Sequence, residues 1–341
     1  MRPGAKRALR WIFSLAMLVA VVLYGRTIDW PTAWTAIRSA SWPILLVATL
    51  ANLITLAAKA LTWWIFLRPV GVPSLSLAVK ATVAGAGLNN ILVANSGDAA
   101  RVVFVTRASG APSAAVLAAL ALERLFDLIG YIMLMAGAAY LLPMPHEVAR
   151  WRFAAVGVLL GIVILFGVLL KRSPAIAVVT VYPSTIVGRM RTYLDRFMVS
   201  VRDILTLQRI SLAMLLSIVN WAAQIATYHL VAVAAHFPIS IVGSVTTLIT
   251  ANVGFLVRAT PGNVGVFQVV YGVTAQALGL DKASAVAVAL LLQLIQNVPV
   301  TLLAILIAPD LILHWRDKRG TAAPDATKAR RASDSVIERA D

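Results

Sequence analysis

Glu123, Arg124 and Asp127 are the charged residues between Ser113 and Leu142, in a run otherwise apolar and long enough to cross a bilayer. Glu123 and Asp127 stand one turn apart on a helix face, and Arg124 is spaced to pair with Asp127. A charge at membrane depth costs about 2.5 to 3.5 kcal/mol unless it is paired or wet. The triplet therefore reads either as a polar pathway or gate, or as an ion pair that locks helices together. An acid pair could also do acid–base work, but no nucleophile or metal partner accompanies it.

Two further polar sets interrupt apolar stretches. Residues 75–100 contain Lys80, Gly85, Gly87, Asn89, Asn90, Asn95, Ser96, Gly97 and Asp98, with Arg101 just beyond. Broken backbone survives at membrane depth only when buried in protein or lining a wet cavity. Asn90, Asn95 and Asp98 could cap two half-helices there, touch a polar substrate, or do both. Residues 243–279 contain Asn252, Gly254, Arg258, Pro261, Gly262, Asn263, Gly265 and Gln268. Thr260 to Gly265 reads as a turn opening a helix, whose free amides attract anions. Arg258 adds a full positive charge, so the pair could hold a phosphate headgroup. Asn220 and Gln224, and Gln293, Gln296 and Asn297 beside Pro299, read as amides that join helices in lipid. His229 reads as structural.

The elements that must position these residues follow from composition. The chain has 341 residues, 60% hydrophobic and 13% charged, and no cysteine; its mean hydropathy is +0.86. An ordinary soluble domain carries about twice that charged fraction. Disulfides, thiol catalysis and Cys-ligated metal are excluded, and four scattered histidines offer little for a metal site. Apolar runs at 11–24, 42–67, 113–142, 153–170, 210–235 and 283–309 are each expected to span. The first, lacking a small-residue cleavage site, reads as a retained anchor. The predicted fold is all-α: a polytopic membrane bundle of six spans and two broken or re-entrant segments, about eight membrane segments in all.

Charge sets the expected orientation. Cytoplasmic loops collect Lys and Arg. With the N-terminus inside, 22 of the thirty fall on the cytoplasmic side and five outside, leaving Lys59, Arg124 and Arg258 at membrane depth. Both termini are then cytoplasmic, in the cell (inner) membrane. The broken segments enter from opposite faces, as an inverted repeat would have them, with Ala94 to Asp98 set against Ala259 to Asn263. Ala175 to Arg209 reads as a basic amphipathic helix on anionic inner-leaflet lipid. Asp29 to Arg38, with Trp30 and Trp34, reads as an interfacial anchor outside. Residues 1–314 form the expected membrane domain and 315–341 a disordered basic tail.

The order of three motifs resembles the flippase-like membrane region of the lysylphosphatidylglycerol synthetase family. Asn90 through Gly97, Asp98 and Arg101 are similar to its Asn-to-Arg element, with Asp for Glu and without its proline. Glu123, Arg124 and Asp127 match its Glu-Arg-x-x-Asp helix. Pro261, Gly262, Gly265 and Gln268 match its Pro-Gly turn, where Asn263, Phe267 and Gln268 replace Gly, Arg and Glu. These replacements remove two charges from the external segment. The resemblance implies a membrane domain that moves or accommodates a lipid, without the aminoacyl-transferring domain of its bifunctional relatives.

Taken together, the sequence predicts a protein that binds and translocates a membrane phospholipid or lipid-linked molecule. The alternative is a non-transporting partner that binds lipid or positions a lipid-modifying enzyme. Asn90, Asn95, Asp98, Arg101, Glu123, Arg124, Asp127, Arg258, Pro261, Gly262, Asn263, Gly265 and Gln268 form the candidate pathway. No catalytic, metal or cofactor site and no nucleic-acid partner is expected; a homo-oligomer and a lipid-enzyme partner are both left open. No hydrolase elbow, zinc-protease helix or phosphate-binding loop occurs.

Overall fold

The computed structural model describes residues 26, 29–91, 96–141, 186–254 and 263–307, with positions 157, 158, 160, 161 and 164. The expected first span, most of the span at 153–170, and the tail from residue 315 lie outside the described residues. Among those described there are ten α-helices and no strand. They are α1 (Trp30–Arg38), α2 (Trp42–Leu67), α3 (Leu75–Ile91), α4 (Ser96–Ser109), α5 (Ser113–Leu141), α6 (Ile186–Ile204), α7 (Leu207–Ala234), α8 (Ile241–Gly254), α9 (Val266–Ala277) and α10 (Lys282–Ile307). By length and composition, α2 with its 3-10 extension, α7 and α10 suffice to cross a membrane. Helix α5 has the length, at 29 residues, and carries the charged triplet.

Local chemistry sets the helix starts. Asp29 caps α1, its carboxylate accepting from the Thr32 amide and hydroxyl, and Pro31 occupies the first turn. Ser41 and Pro43 open α2 in the same way, without a side-chain cap bond. Thr206 caps α7 by accepting from the Arg209 amide. The expected amphipathic stretch to Arg209 is thus divided: α6 ends at Ile204, and Arg209 belongs to the first turn of the next long helix.

Each broken stretch is a helical hairpin. In the first, the Gly97 amide donates to Asn89 Oδ1 at 2.9 Å and Arg101 Nη2 donates to Thr82 Oγ1 at 3.1 Å, so α3 and α4 run antiparallel. A Cβ on Gly97 would collide with the Gly85 carbonyl, and one on Gly85 with the Arg101 side chain. The two glycines therefore let the backbones touch. In the second, Thr274 Oγ1 bonds Thr250 Oγ1 at 3.0 Å and Gly254 lies against Val270, aligning α8 antiparallel to α9.

Both hairpins close on the middle of α10. Asn90 Nδ2 donates to the Asn297 carbonyl at 3.3 Å and to Thr301 Oγ1 at 3.2 Å, with Gly87 against Ala304. Gln268 Nε2 donates to Gln293 Oε1 at 2.6 Å. Gln293 and Asn297 are one turn apart, about 16 and 22 Å along α10 from its start. One hairpin runs toward the start of α10 and the other toward its end. The order of long helix, hairpin, long helix thus occurs twice with opposed sense: α2, α3/α4, α5 and then α7, α8/α9, α10.

The contacts repeat as well. The second arm of each hairpin reaches the following long helix, through Asp98 to Arg124 in one half and Gln268 to Gln293 in the other. An asparagine of each first long helix reaches across to the other half, Asn52 to the Ile295 carbonyl and Asn220 to Asp127. By these contacts Asp98 corresponds to Gln268, which corrects the expected match of Asp98 with Asn263.

Asn52 also answers a backbone need. Pro299 lies inside α10 and has no amide to offer the carbonyl of Ile295. The Asn52 amide donates there at 3.3 Å from a side chain only 7% exposed. One apolar core with several aromatic rings joins α2 with α7, α8, α9 and α10, and a second joins α2 with α3, α4, α5, α6 and the start of α7. On the outside, Leu46, Leu50 and Ile54 of α2, and Leu294, Val298, Leu302 and Ile305 of α10, form exposed stripes at helical spacing. Apolar stripes of that length suit a hydrocarbon surround rather than water.

Candidate functional site

The turn of α4 across Gly85 brings two polar side chains of the first hairpin against the charged triplet of α5. Arg124 Nη2 donates to Asp98 Oδ1 at 2.7 Å. Arg101 Nη1 meets Glu123 Oε2 at 3.3 Å and lies 3.8 Å from Asp98. Lys59 of α2 holds Asp127 Oδ2 at 3.2 Å, and Asn220 of α7 donates to its other oxygen at 2.9 Å. Three cations and three anions from α2, α4 and α5 thus form an electrically neutral network, the four charges of Asp98, Arg101, Glu123 and Arg124 beside the Lys59–Asp127 pair, with Asn220 of α7 joining the latter. That balance is what lets charge persist at depth.

Burial grades across the network. Arg101 and Glu123 are 3% and 1% exposed, while the Arg124 side chain is 40% exposed. The Arg101 guanidinium also stacks over the Trp63 ring, 4.1 Å from its centroid. Not every polar atom is used: among the described residues, Glu123 Oε1, Asn220 Oδ1, Arg101 Nε and Arg124 Nε are buried without a hydrogen-bond partner. Lys59, Glu123, Asp127 and Asn220, with Thr62 and Ser217, line a recess between α2, α5 and α7. It has room for about one water, too little for a headgroup in this conformation. Arg124 is therefore the cation of the network that combines a short carboxylate contact with a substantially exposed side chain, and Asp98 has a second guanidinium, Arg101, at 3.8 Å.

Several expectations are corrected by this geometry. Arg124 pairs with Asp98, not Asp127, because the hairpin brings a carboxylate to its half-exposed side whereas Asp127 faces Lys59 and Asn220. Arg101, counted among the cytoplasmic residues, is buried in the network. Asn90 is not in it; its amide is committed to α10. Asn95, Arg258, Pro261 and Gly262 lie outside the described residues. Asn263 is buried with φ 57°, and Gly265 takes φ 89° just before α9. Gln268 caps α9 by accepting the Gly265 amide at 2.6 Å while bonding Gln293. Among the described residues the second hairpin thus meets α10 through neutral amides, while both side-chain amide atoms of Asn263 are buried without a partner. Sequence reasoning gave no role to Lys59 and read Asn220 as packing; the signal for Lys59 was a lone cation in the apolar run 42–67.

Opposed hairpins wedged between long helices with lipid-ready outer faces define a polytopic helical membrane protein. Residues 11–304 match the family described as the lysylphosphatidylglycerol synthase TM region, and the chain belongs to that family. The resemblance carried by the three motifs therefore holds. The chain is also similar to the UPF0104 membrane protein PH1989 of Pyrococcus horikoshii, at 24% identity over 277 residues, which cover 74% of this chain and 82% of that one.

Proposed function

We propose that this protein binds and translocates a phospholipid or lipid-linked molecule across the cell membrane, with both termini cytoplasmic. The observation that carries the reading is the neutral six-charge network where the first hairpin meets α5. A headgroup phosphate takes the Asp98 place on Arg124, the hairpin shifts, and the acyl chains stay in the bilayer. Membership of a family described as a lysylphosphatidylglycerol synthase TM region supports a lipid substrate, and the basic residues assigned inside support the orientation. The acidic pair has no catalytic role in this proposal.

Reconstituted liposomes with headgroup-labelled lipids test it. Headgroup-dependent scrambling that Arg124→Gln reduces at least tenfold, with unchanged folding, is expected; equal scrambling by folded wild type and empty liposomes refutes translocation. The small recess favours a second reading, a non-transporting partner that holds a lipid or positions a lipid-modifying enzyme. A stoichiometric enzyme in affinity purification, with no transport in isolation, would select it. Changed lipid species in cells carrying Glu123→Gln and Asp127→Asn, with normal leaflet distribution, would select catalysis instead.

A further inference from the structure

Below the charged recess, on the same seam between α2 and α7, a second and larger groove opens to solvent. Its volume is about 530 Å³, and it is lined by Ile65, Arg68, Gln208, Arg209, Leu212 and two prolines. Ile65 and Leu212 lie about one turn from Thr62 and Leu216, which line the recess above. The groove is thus separate from the network and continuous with it along the seam.

Its cations are held in place yet unneutralised. The Arg68 guanidinium lies 5.1 Å from the Trp64 ring centroid, and Trp64 Nε1 donates to the Pro73 carbonyl at 2.8 Å. Arg209 Nη1 donates to the carbonyls of Asp203 and Ile204 at 2.9 and 3.1 Å, which fixes it at the end of α6. Among the described residues neither arginine has a carboxylate partner, whereas Lys59, Arg101 and Arg124 each do. Above the groove, Leu212, Leu215 and Val219 form an exposed apolar stripe up α7. Two positioned guanidiniums at the foot of an apolar stripe have the polarity of a phospholipid, headgroup below and acyl chain above.

We propose that this groove binds the phosphodiester headgroup of an anionic phospholipid on Arg68 and Arg209, with an acyl chain along Leu212, Leu215 and Val219. Because Arg68 and Arg209 fall on the side assigned to the cytoplasm, the lipid comes from the inner leaflet. On the proposed function it is the port from which a headgroup reaches the network. Binding itself does not require transport.

Native mass spectrometry of the full chain tests this after exchange into an equimolar mixture of chain-matched phosphatidylglycerol and phosphatidylcholine. Wild type is expected to retain phosphatidylglycerol selectively. Arg68→Gln with Arg209→Gln should cut that selectivity roughly tenfold, the product of two contacts each worth a severalfold factor at a solvent-open site. Arg68→Gln alone, at an exposed side chain, should lower it severalfold with folding intact. Arg107→Gln, which removes an exposed arginine of α4 outside both the groove and the network, should leave retention unchanged; selective retention by a wild type that does not scramble lipid upholds the groove and fails only the proposed function. Equal retention by wild type and Arg68→Gln overturns the proposal. Displacement of the lipid by millimolar inorganic phosphate marks a free-phosphate site and overturns the lipid assignment.

Discussion

Replacing Glu123 by glutamine tests whether the network acts as a unit. The change is isosteric but removes the carboxylate 3.3 Å from Arg101, a guanidinium only 3% exposed. Arg101 keeps the Thr82 hydroxyl, the Trp63 face and Asp98 at 3.8 Å, none of which replaces a contacting carboxylate. Removing one partner of a buried pair costs about 3 to 5 kcal/mol. At roughly 2 to 4 °C per kcal/mol for a protein of a few hundred residues, Tm in detergent should fall by about 10 °C. Arg101→Met together with Glu123→Gln removes one charge of each sign and leaves Lys59, Arg124, Asp98 and Asp127 balanced. Its Tm should return to within about 3 °C of wild type. Thermal denaturation followed by size-exclusion fluorescence measures both. An unchanged Tm for Glu123→Gln, or a double variant less stable than either single one, refutes the pairing. Transport by the recovered double variant would assign the pair a structural role only.

Asn52→Ala should cost about 1 to 3 kcal/mol by orphaning the Ile295 carbonyl, and little when Pro299→Ala restores an amide to that carbonyl; equal costs in the two backgrounds would show that Asn52 does not serve it. Gly97→Ala should strongly destabilise the first hairpin, since its Cβ meets the Gly85 backbone, whereas Gly137→Ala, with open space around it, should stabilise α5 by up to about 1 kcal/mol; Tm comparison distinguishes them. Asp281, whose carboxylate accepts from the Ser284 amide at 2.7 Å at the start of α10, is held below the usual carboxylate range by that bond. Its folded pKa is depressed, so its contribution is present above the unfolded pKa of about 4 and lost as pH falls through the folded value. Asp281→Ala should therefore lower Tm at pH 7, with the difference shrinking below about pH 4.

Much of the scaffold was legible because its signals are local and long. The apolar runs at 42–67 and 113–142 give helices at Trp42–Leu67 and Ser113–Leu141, and Gly and Asn clusters mark both hairpins, since lipid leaves few uses for such residues. Partners were less legible. Arg124 has a near neighbour, Asp127, and a distant one, Asp98; only the touching of Gly85 and Gly97 brings the distant one in. Asn89 and Asn90 are adjacent and indistinguishable by type, yet one faces α4 and the other α10. Asn52 answers a need created far along the chain by Pro299, which no window around either residue displays.

The two halves share a plan of elements and differ in charge, and that difference bears on how they could work. At the second hairpin Gln268 spends its carbonyl on Gly265 and its amide on Gln293, two 2.6 Å bonds among groups no more than 8% exposed. A ligand displacing Gln268 there must break two satisfied neutral bonds. At the first hairpin Asp98 faces two guanidiniums, Arg124 is partly exposed, and buried N–H groups await acceptors. An anionic headgroup taking Arg124 there exchanges one charge-assisted bond for another and leaves Asp98 to Arg101 at 3.8 Å. If a lipid headgroup moves through this fold, the exchange of contacts falls on the first hairpin, where a partly exposed guanidinium can change partners, rather than on the buried bond between Gln268 and Gln293.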